Sequence, residues 1–574
     1  MPYSAGGWPT LPAMMLSRAA EWADRPLFRH WQGGAWQSLR WGDFALRVAA
    51  VAAFLRARGI GPGDRVMLVS ENRPEFPIAD TAIMAVGAIT VPTYTTNLAA
   101  DHAHILRDSG ARAAIVSTRR LAERVLEGAA LAGGLDMLVC VEDPPQAEGL
   151  AAHGWAEALA TPGDVAMLRA EAEAASPDSL ACLIYTSGTG GAPKGVMLPH
   201  RALLANRAGV VPLAERLGLD GKPYLSFLPL SHSYEHTVGG FLLPSVGMEV
   251  VYSRGADRLS HELAEVKPAV VTAVPRLFEV LRGRILAGLE KESNFKRRLF
   301  DRTVALGLRK MDGPPLGLLE RLPDLVLDRL VRDKTRARFG GELQAMVSGG
   351  ARLDPDLSGF FMALGLPVLQ GYGQTEAGPV VSVNLPWANR RHTVGPPLKG
   401  VECRIAEDGE VLVRGDLVMT GYWNNPEATA AALRPPPGET DPWLHTGDVG
   451  VIEDGYLRIT DRKRDFIKTL GGDMVSPAKL ESLLMAEPEI HQAIVAGEGK
   501  PALVALIVPA EGMAGKVGEA VRRVNAKLPT IERIRHFTAT APFTIENGLL
   551  TPTMKVKRRA AIDARMAEVE GLYG

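Results

Sequence analysis

The chain has 574 residues, of which 46% are hydrophobic and 22% are charged, and its formal net charge is -1. This length exceeds what one hydrophobic core usually serves, so we expect at least two domains, one of them small. The composition excludes the disordered, collagen-like and disulfide-scaffold classes, and the balanced charge predicts no binding to nucleic acid.

The cysteines and the N-terminal residues indicate the cellular compartment of the protein. Cys140, Cys182 and Cys403 lie far apart, without the spacing of zinc sites or redox pairs, and we expect buried, reduced thiols. The first residues lack the charged and apolar regions of a signal peptide, and no run approaches the ~18 apolar residues of a membrane span. These features predict a cytoplasmic protein.

Helical patterns and apolar runs alternate over the first half of the chain. Residues 44–58 have helical periodicity, whereas residues 66–69, 113–116 and 183–185 are short apolar runs that are typical of buried strands. The alternation predicts an α/β fold in which helices are layered on a sheet.

An insertion and a boundary are predicted further along. Residues 294–338 are rich in Arg and in Leu at helical spacing, so we expect an amphipathic helical insertion. Its charges form either a solvated face or a peripheral contact with the inner face of a membrane. A strand at 456–460 then runs into the charge cluster 461–465, where a small domain of about 110 residues begins, with a helix at 477–484 and a strand at 502–508.

A glycine-rich loop at 185–195 follows the predicted strand at 183–185. Glycines allow backbone N–H groups to approach phosphate oxygens, and hydroxyl and ammonium groups add donors. The loop is therefore predicted to wrap a polyphosphate, with these candidate residues: Thr186, Ser187, Gly188, Thr189, Gly190 and Lys194.

Two common nucleotide motifs are excluded at this loop. A P-loop needs Gly before its Lys and Ser or Thr after it, but Pro193 precedes Lys194 and Gly195 follows it. A dinucleotide fingerprint that starts at Gly188 would need a third glycine where Pro193 stands. The nucleotide must be held in another way.

The loop resembles the signature of the adenylate-forming superfamily, and further motifs follow in that superfamily's order: 348–351 (SGGA), 371–376 (GYGQTE), 445–448 (HTGD), 461–468 and 551–555 (TPTMK). The resemblance implies a large, multi-subdomain N-terminal AMP-binding domain at 1–461, a hinge at 462–465, and a small, mobile α+β domain at 466–574. It also implies ATP-dependent formation of an acyl-adenylate with release of pyrophosphate, followed by transfer of the acyl group to coenzyme A.

The resemblance assigns roles to individual residues. The adenine would lie between Tyr372–Gly373 and Gly350–Ala351, the ribose would bind Asp448 and Arg462, Thr375 would donate to the α-phosphate, and Glu376 would ligate Mg²⁺. Lys555 would be the catalytic lysine, Arg464 the hinge, and Gly471 and Gly472 the site of the coenzyme A arm. The neighbouring charges Asp461, Lys463 and Asp465 are interpreted as solvated, and Lys557 to Arg559 as a basic face. One departure is Gly190, which replaces a threonine of the family's loop.

The acid is the least determined part. His232 corresponds to a family position that lines the acyl channel, although a structural histidine is equally expected. Residues 71–75, 91–94, 294–338 and 551–559 resemble bacterial long-chain fatty acyl-CoA synthetases. A medium-chain or aryl acid, a carrier protein as the acceptor, and a degenerate protein that only binds nucleotide or lipid remain alternatives, and a homodimer is left open.

Overall fold

The computed structural model describes residues 7–145, 149–186, 192–255, 257–314, 316–463, 466–470, 474–551 and 556–573. Sequence predictions at Ser187, Gly188, Thr189, Gly190, Arg464, Asp465, Gly471, Gly472 and Lys555 lie outside the described residues.

The strands form two eight-stranded sheets, a five-stranded sheet, a three-stranded sheet and one strand pair. In chain order they are β1 (Pro26–Gln32), β2 (Ala35–Arg40), β3 (Arg65–Val69), β4 (Ile89–Thr93), β5 (Ala113–Val116), β6 (Met137–Cys140), β7 (Ala151–Gly154), β8 (Leu180–Thr186), β9 (Lys194–Pro199), β10 (Pro223–Ser226), β11 (Glu249–Tyr252), β12 (Val270–Ala273), β13 (Ala345–Ser348), β14 (Val368–Gly373), β15 (Val380–Val383), β16 (Glu402–Ile405), β17 (Glu410–Arg414), β18 (Gly421–Tyr422), β19 (Leu433–Arg434), β20 (Trp443–Glu453), β21 (Tyr456–Arg462), β22 (Ile467–Lys468), β23 (Met474–Val475), β24 (Ile490–Ala496), β25 (Leu503–Pro509) and β26 (Ile534–Ala539).

The helices cover the faces of these sheets. In chain order they are α1 (Leu11–Glu21), α2 (Trp41–Ala57), α3 (Glu75–Ala85), α4 (Ala99–Ser109), α5 (Arg119–Ala132), α6 (Trp155–Leu159), α7 (Val165–Ala174), α8 (His200–Leu217), α9 (Ser233–Thr237), α10 (Leu243–Ser245), α11 (Leu259–Val266), α12 (Pro275–Glu290), α13 (Asn294–Asp312), α14 (Leu318–Leu327), α15 (Asp333–Arg338), α16 (Pro355–Ala363), α17 (Pro426–Ala432), α18 (Pro477–Met485), α19 (Val517–Ala526), α20 (Arg558–Ala564) and α21 (Met566–Glu570). Two π-helical turns, Val238–Leu242 and Asp328–Arg332, continue α9 and α14.

The first large sheet has the order β18-β9-β8-β4-β3-β5-β6-β7. Its strands run parallel from β8 to β7, whereas β9 is antiparallel to both of its neighbours, β8 and β18. Strand β5 is buried along its whole length, as a parallel strand covered by helices on both faces should be. The predictions of strands at 66–69, 113–116 and 183–185 and of a helix at 44–58 are confirmed by β3, β5, β8 and α2.

The second large sheet has the order β15-β14-β13-β12-β10-β11-β1-β2, parallel except at its two edge strands. A single apolar cluster contains Leu68 of the first sheet and Val250 of the second, so the helices between the sheets pack against both. The carboxyl ends of β8, β13 and β14 carry the loop and motifs that sequence analysis singled out, where open α/β sheets place their ligand sites.

The C-terminal part has a core of its own. Strands β24, β25 and β26 form a sheet, with α18 and α19 contributing to one apolar cluster and α20 and α21 to another. Every described residue of the two clusters lies at position 467 or later, so this core includes no described residue of the N-terminal part. The predicted fold class, an α/β chain with a large N-terminal and a smaller α+β C-terminal domain, is confirmed, and α18 and β25 lie at the predicted helix and strand.

Two expectations need correction or completion. Cys140 and Cys182 are buried thiols, but Cys403 is half-buried, because β16, which contains it, forms the edge of the five-stranded sheet. Among the described residues, no helix is both long and apolar enough to cross a bilayer. The predicted insertion is helical and consists of α13, α14 and α15.

Candidate active site

Lys194 lies at the base of the predicted phosphate loop. Strands β8 and β9 form a hairpin in which Thr186 pairs with Lys194, so the loop connects two adjacent strand ends. The Lys194 ammonium lies 5.0 Å from the centre of the Tyr422 ring, on β18, which pairs with β9. A cation–π contact of this kind directs the ammonium without neutralising it. Lys194 therefore places a positive charge at the base of the loop, where its two ends lie side by side.

The turn that follows β14 holds Thr375 and Glu376 beside Lys194. Tyr422 contacts Lys194 and also donates a hydrogen bond of 2.8 Å from its hydroxyl to Glu376 Oε1. Thr375 Oγ1 lies 2.8 Å from Ser233 Oγ, and both residues are buried. A lysine, a carboxylate and two hydroxyls are thus brought together from distant parts of the chain.

A second group of side chains surrounds Asp448. The Tyr372 hydroxyl donates to Asp448 Oδ2 at 2.6 Å, and Arg462 Nε donates to Asp448 Oδ1 at 3.1 Å. Burial, followed by the Asp448 charge, holds the pKa of Tyr372 well above its ordinary value, so the phenol remains a donor at neutral pH. Asp448 and Arg462 are directly paired between β20 and β21. Sheet register therefore fixes two of the predicted ribose ligands side by side.

The backbone conformation or close packing explains why several positions near Tyr372 are glycines. Gly350 has a φ of 76°, in the left-handed region that favours glycine. A Cβ on Gly349 would lie 3.0 Å from Cε1 of Tyr234, whose hydroxyl donates to the carbonyl oxygen of Val347 at 3.1 Å. A side chain on Gly373 would collide with the carbonyl oxygen of Pro379. Because these positions have no side chain, the bare backbone forms one wall of the site.

One of the charges near the predicted boundary is buried, contrary to the prediction. Strand β21 extends through Arg462, and Asp461 is only 7% exposed. Lys463 Nζ lies 3.1 Å from Glu410 Oε2 and also pairs with Asp408, and hydrogen bonds to Asp408 and then Glu410 raise the pKa of Lys463. The interpretation of Asp461 as a solvated charge is wrong, because the strand continues past the predicted boundary. Lys463 is exposed, as predicted, although it is also ion-paired. Glu410 also accepts from the Gly447 backbone N–H at 2.8 Å and anchors the 445–448 motif.

These groups line one cleft of about 2100 Å³. The predicted site residues that it brings together are Thr186, Lys194, His232, Gly350, Ala351, Tyr372, Gly373, Thr375, Glu376, Asp448 and Arg462. The C-terminal domain contributes Lys479, Lys557 and Arg558, among others. Within the proposed basic face, Arg558 is committed to Glu481 by an ion pair of 2.5 Å.

Part of the cleft, termed the apolar arm below, is lined by apolar residues that no motif had singled out. Its walls come from α8, the π-helical turn, β12, β13 and β15, and its apolar lining includes Val210, Leu213, Leu217, Leu219, Val238, Leu242, Leu243, Val270, Ala345, Val380 and Val383. His232 also lines the cleft, half-buried, where its Nδ1 accepts the Tyr234 backbone N–H at 3.1 Å and its ring centre lies 6.4 Å from that of Tyr94.

Sequence reasoning missed Ser233, Tyr234 and Tyr422 as well as the arm. Ser233 follows His232 directly, so its place beside a predicted pocket residue was a usable signal. Tyr422 carries no motif, and only the pairing of β18 with β9 brings it to the site. The apolar positions of α8 resemble those of any buried helix.

Glu376 is the described residue that best fits a magnesium ion. Within the part of the chain that the structure describes, no group of three or more His, Cys, Asp or Glu side chains could hold an ion. Glu376 is a half-buried carboxylate at the phosphate end of the cleft. Mg²⁺ is commonly held by one or two carboxylates together with substrate phosphates and water, so this residue fits such an ion.

Comparisons with known proteins place the chain in a family. A model for AMP-binding enzymes matches residues 16–423, and one for the C-terminal domain of AMP-binding enzymes matches residues 464–574. The chain belongs to the AMP-binding enzyme family. The adenylate-forming fold predicted from the motifs is confirmed.

Relatives within this AMP-binding family extend over the whole chain. The chain is 35% identical over 602 aligned residues to a long-chain-fatty-acid–CoA ligase of Mycobacterium bovis, covering 100% of this chain and 98% of the relative. It is 29% identical over 564 aligned residues to long-chain-fatty-acid–CoA ligase 1 of Cavia porcellus, covering 89% and 78%. These matches support the predicted enzyme class, an AMP-forming acid–thiol ligase.

Solved structures agree with the fold. The adenylation domain of a carboxylate reductase from Mycobacterium chelonae has a TM-score of 0.74 at 22% identity, covering 100% of this chain and 92% of that one. O-succinylbenzoate coenzyme A synthetase from Bacillus subtilis in complex with AMP has a TM-score of 0.69 at 21% identity, covering 96% and 97%. At these identities the likeness concerns the fold alone.

Proposed function

We propose that this AMP-binding enzyme activates a fatty acid with ATP to an acyl-adenylate, releases pyrophosphate, and transfers the acyl group to coenzyme A. The observation that carries this proposal is the lining of the cleft. The contacting group of Tyr372, Asp448 and Arg462 lines the same cleft as the apolar arm, and Thr375 and Glu376 lie at the turn after β14. A nucleotide and an apolar acid can thus occupy one continuous space.

The nucleotide end suits AMP. The Tyr372 ring offers an aromatic face to adenine, opposite the thin backbone at Gly350 and Ala351. Asp448 is 4% exposed and is held between two donors, so its oxygens are positioned before a ribose hydroxyl arrives. A binding group that is already oriented loses little entropy when the ligand binds.

The first reaction concentrates negative charge at the α-phosphorus as the carboxylate attacks and pyrophosphate leaves. Positioned donors and cations lower the energy of such a transition state most effectively in a site shielded from water. Thr375, oriented by Ser233, supplies a hydroxyl, and Lys194 supplies an ammonium at the base of the loop. When bound at Glu376, Mg²⁺ would screen the phosphate charge.

The remaining assignments lie outside the described residues and rest on the order of motifs. We assign Lys555 as the cation that approaches the carboxylate and α-phosphate, because a flexible ammonium suits that task. Arg464, in a hinge at 462–465 between domains at 1–461 and 466–574, would let the C-terminal domain move between the two reactions. Gly471 and Gly472 would admit the coenzyme A arm, since they present no side chain.

The apolar arm and the whole-chain relatives named long-chain-fatty-acid–CoA ligases support a long-chain acid. His232 then lines the arm near the carboxyl end of the acid. The alternatives differ in their products, because an enzyme that loads a carrier protein forms no thioester with free coenzyme A.

The test is an assay of AMP and thioester release from ATP, Mg²⁺, free coenzyme A and straight-chain acids of graded length, with benzoate as the aryl control. We expect both products, with the highest kcat/KM for long chains. Adenylate without thioester would indicate a carrier-protein acceptor, and a preference for benzoate or short chains would overturn the assignment of the acid. The absence of any acid-dependent AMP would refute the proposed reaction.

A further inference from the structure

Helix α14 has an unusual orientation on the molecule. Four of its leucines, Leu318, Leu319, Leu322 and Leu325, are 82%, 92%, 69% and 68% exposed. Their spacing places them on one side of the helix, and that side faces solvent. An amphipathic helix of a globular protein normally turns its apolar side inward, so the orientation requires a cause.

Ion pairs on the opposite side of the helix fix this orientation. Asp324 is only 9% exposed, and its Oδ1 lies 2.7 Å from Arg332 Nη1 while its Oδ2 lies 3.2 Å from Lys310 Nζ. Arg332 Nε also donates to the carbonyl oxygen of Ala363 at 2.8 Å. Rotation of the leucines inward would break these contacts and leave charges buried without partners, which is strongly unfavourable. The apolar side is therefore held outward.

The insertion also carries a surplus of positive charge. Residues 294–338 contain twelve Lys and Arg against six Asp and Glu, whereas the whole chain has a formal charge of -1. Arg321 and Arg329 are exposed on the same segment as the leucines. Exposed leucines flanked by basic side chains are the chemistry that binds the surface of an anionic bilayer. A second copy of the chain would instead bring two basic surfaces together.

The insertion that carries this surface contacts the rim of the cleft through the end of α13. Asp312, the last residue of α13, accepts from Arg391 Nε at 3.0 Å, and Arg391 Nη1 donates to the carbonyl oxygen of Pro355 at 2.8 Å. Arg391 and Pro355 both line the cleft. The insertion is thus joined to the cleft rim by direct contacts of α13.

We propose that the outward leucine side of α14, with Arg321 and Arg329, docks this protein on anionic phospholipid bilayers. The leucines enter the headgroup–acyl boundary and the arginines contact lipid phosphates, while the rest of the protein stays outside. The docking itself uses none of the residues assigned to catalysis. Only its use, delivery of an apolar acid to the cleft rim, rests on the proposed function.

The test is cosedimentation of the full chain with vesicles of phosphatidylcholine, with and without about 30% phosphatidylglycerol. The test variant is Leu318→Ser/Leu319→Ser/Leu322→Ser. Its matched control is Leu46→Ser/Leu131→Ser, which changes leucines that are 62% and 59% exposed on α2 and α5. The assay needs no turnover, and circular dichroism and Tm verify that each variant is folded.

We expect wild type and control to bind the anionic vesicles, and the triple variant to lose about tenfold or more in partition coefficient. Arg321→Gln/Arg329→Gln should weaken binding to anionic but not to neutral vesicles, as should added salt. Absence of wild-type binding, or equal binding by the triple variant, would overturn the proposal. So would light scattering that shows a wild-type dimer and a monomeric triple variant without any vesicle effect, because the leucines would then join two copies.

Discussion

Replacing Thr375 by valine removes one hydroxyl and approximately preserves the shape of the side chain. Thr375 Oγ1 lies 2.8 Å from Ser233 Oγ, and the two residues are 9% and 2% exposed. The substitution takes this partner from the Ser233 hydroxyl, and an unsatisfied buried hydroxyl costs about 1–3 kcal/mol. Loss of a donor aimed at the α-phosphate should lower the adenylation rate by a factor of about 10²–10³.

The assay combines acid-dependent pyrophosphate exchange with chemical denaturation. Ser233→Ala should keep exchange within about tenfold of wild type, because it removes only the group that orients Thr375. The double variant should recover part of the lost stability, since neither hydroxyl is left without its partner, but exchange should stay as low as in Thr375→Val. Equal losses of exchange in the two single variants, or near-normal exchange in Thr375→Val, would refute the role of Thr375.

Four further predictions concern other parts of the molecule. Lys555→Ala should abolish acid-dependent pyrophosphate exchange and leave thioester formation from pre-made acyl-adenylate largely intact; equal loss of both would contradict its assignment. Arg464→Pro should slow the thioester reaction more than adenylation, because proline restricts the hinge torsion, and unchanged rates would argue against a hinge there. Leu213→Trp should narrow the apolar arm and lower kcat/KM about tenfold or more for long-chain acids but little for short-chain acids. An equal loss for all acids would mean that Leu213 does not contact the acyl chain. Burial raises the pKa of Glu235 to about 7 from an ordinary value of 4.5, partly opposed by hydrogen bonds from Ser226, Tyr224 and Thr272. Because the pKa of Glu235 is higher in the folded state, its contribution to the free energy of unfolding is full below about pH 4.5 and decreases until about pH 7. The Tm of wild type should therefore fall relative to that of Glu235→Gln between these pH values, and parallel Tm profiles would contradict this.

The sequence predicted elements best where one physical cause dominates. The run Ala113–Val116 became β5 with the predicted bounds, because a strand buried on both faces has to be apolar throughout. Periodicity also predicted the helical insertion at 294–338. It identified an apolar side in α14 but could not give its direction, which depends on the contact of Asp324 with Arg332.

In the site, too, the sequence predicted some features, whereas others depend on tertiary contacts. Motif order predicted Tyr372, Asp448 and Arg462 as members of one site, and the structure brings them into contact. The contact of Tyr422 with Glu376 and Lys194 depends on sheet pairing between residues more than 200 positions apart, which leaves no local trace. The burial of Asp461 was missed for a related reason, because a charge cluster was taken to end a strand that continues through it.

The most direct test of the central claim follows the oxygen atoms of the acid. Palmitate labelled with ¹⁸O in its carboxylate is incubated with the enzyme, ATP, Mg²⁺ and free coenzyme A, and the nucleotide product is analysed by mass spectrometry. Attack of the carboxylate on the α-phosphorus, followed by cleavage of the mixed anhydride by the thiol, leaves one acid oxygen on AMP. We predict one ¹⁸O atom per AMP for each thioester formed. Unlabelled AMP, or ¹⁸O in inorganic phosphate with ADP as the nucleotide, would contradict the acyl-adenylate route.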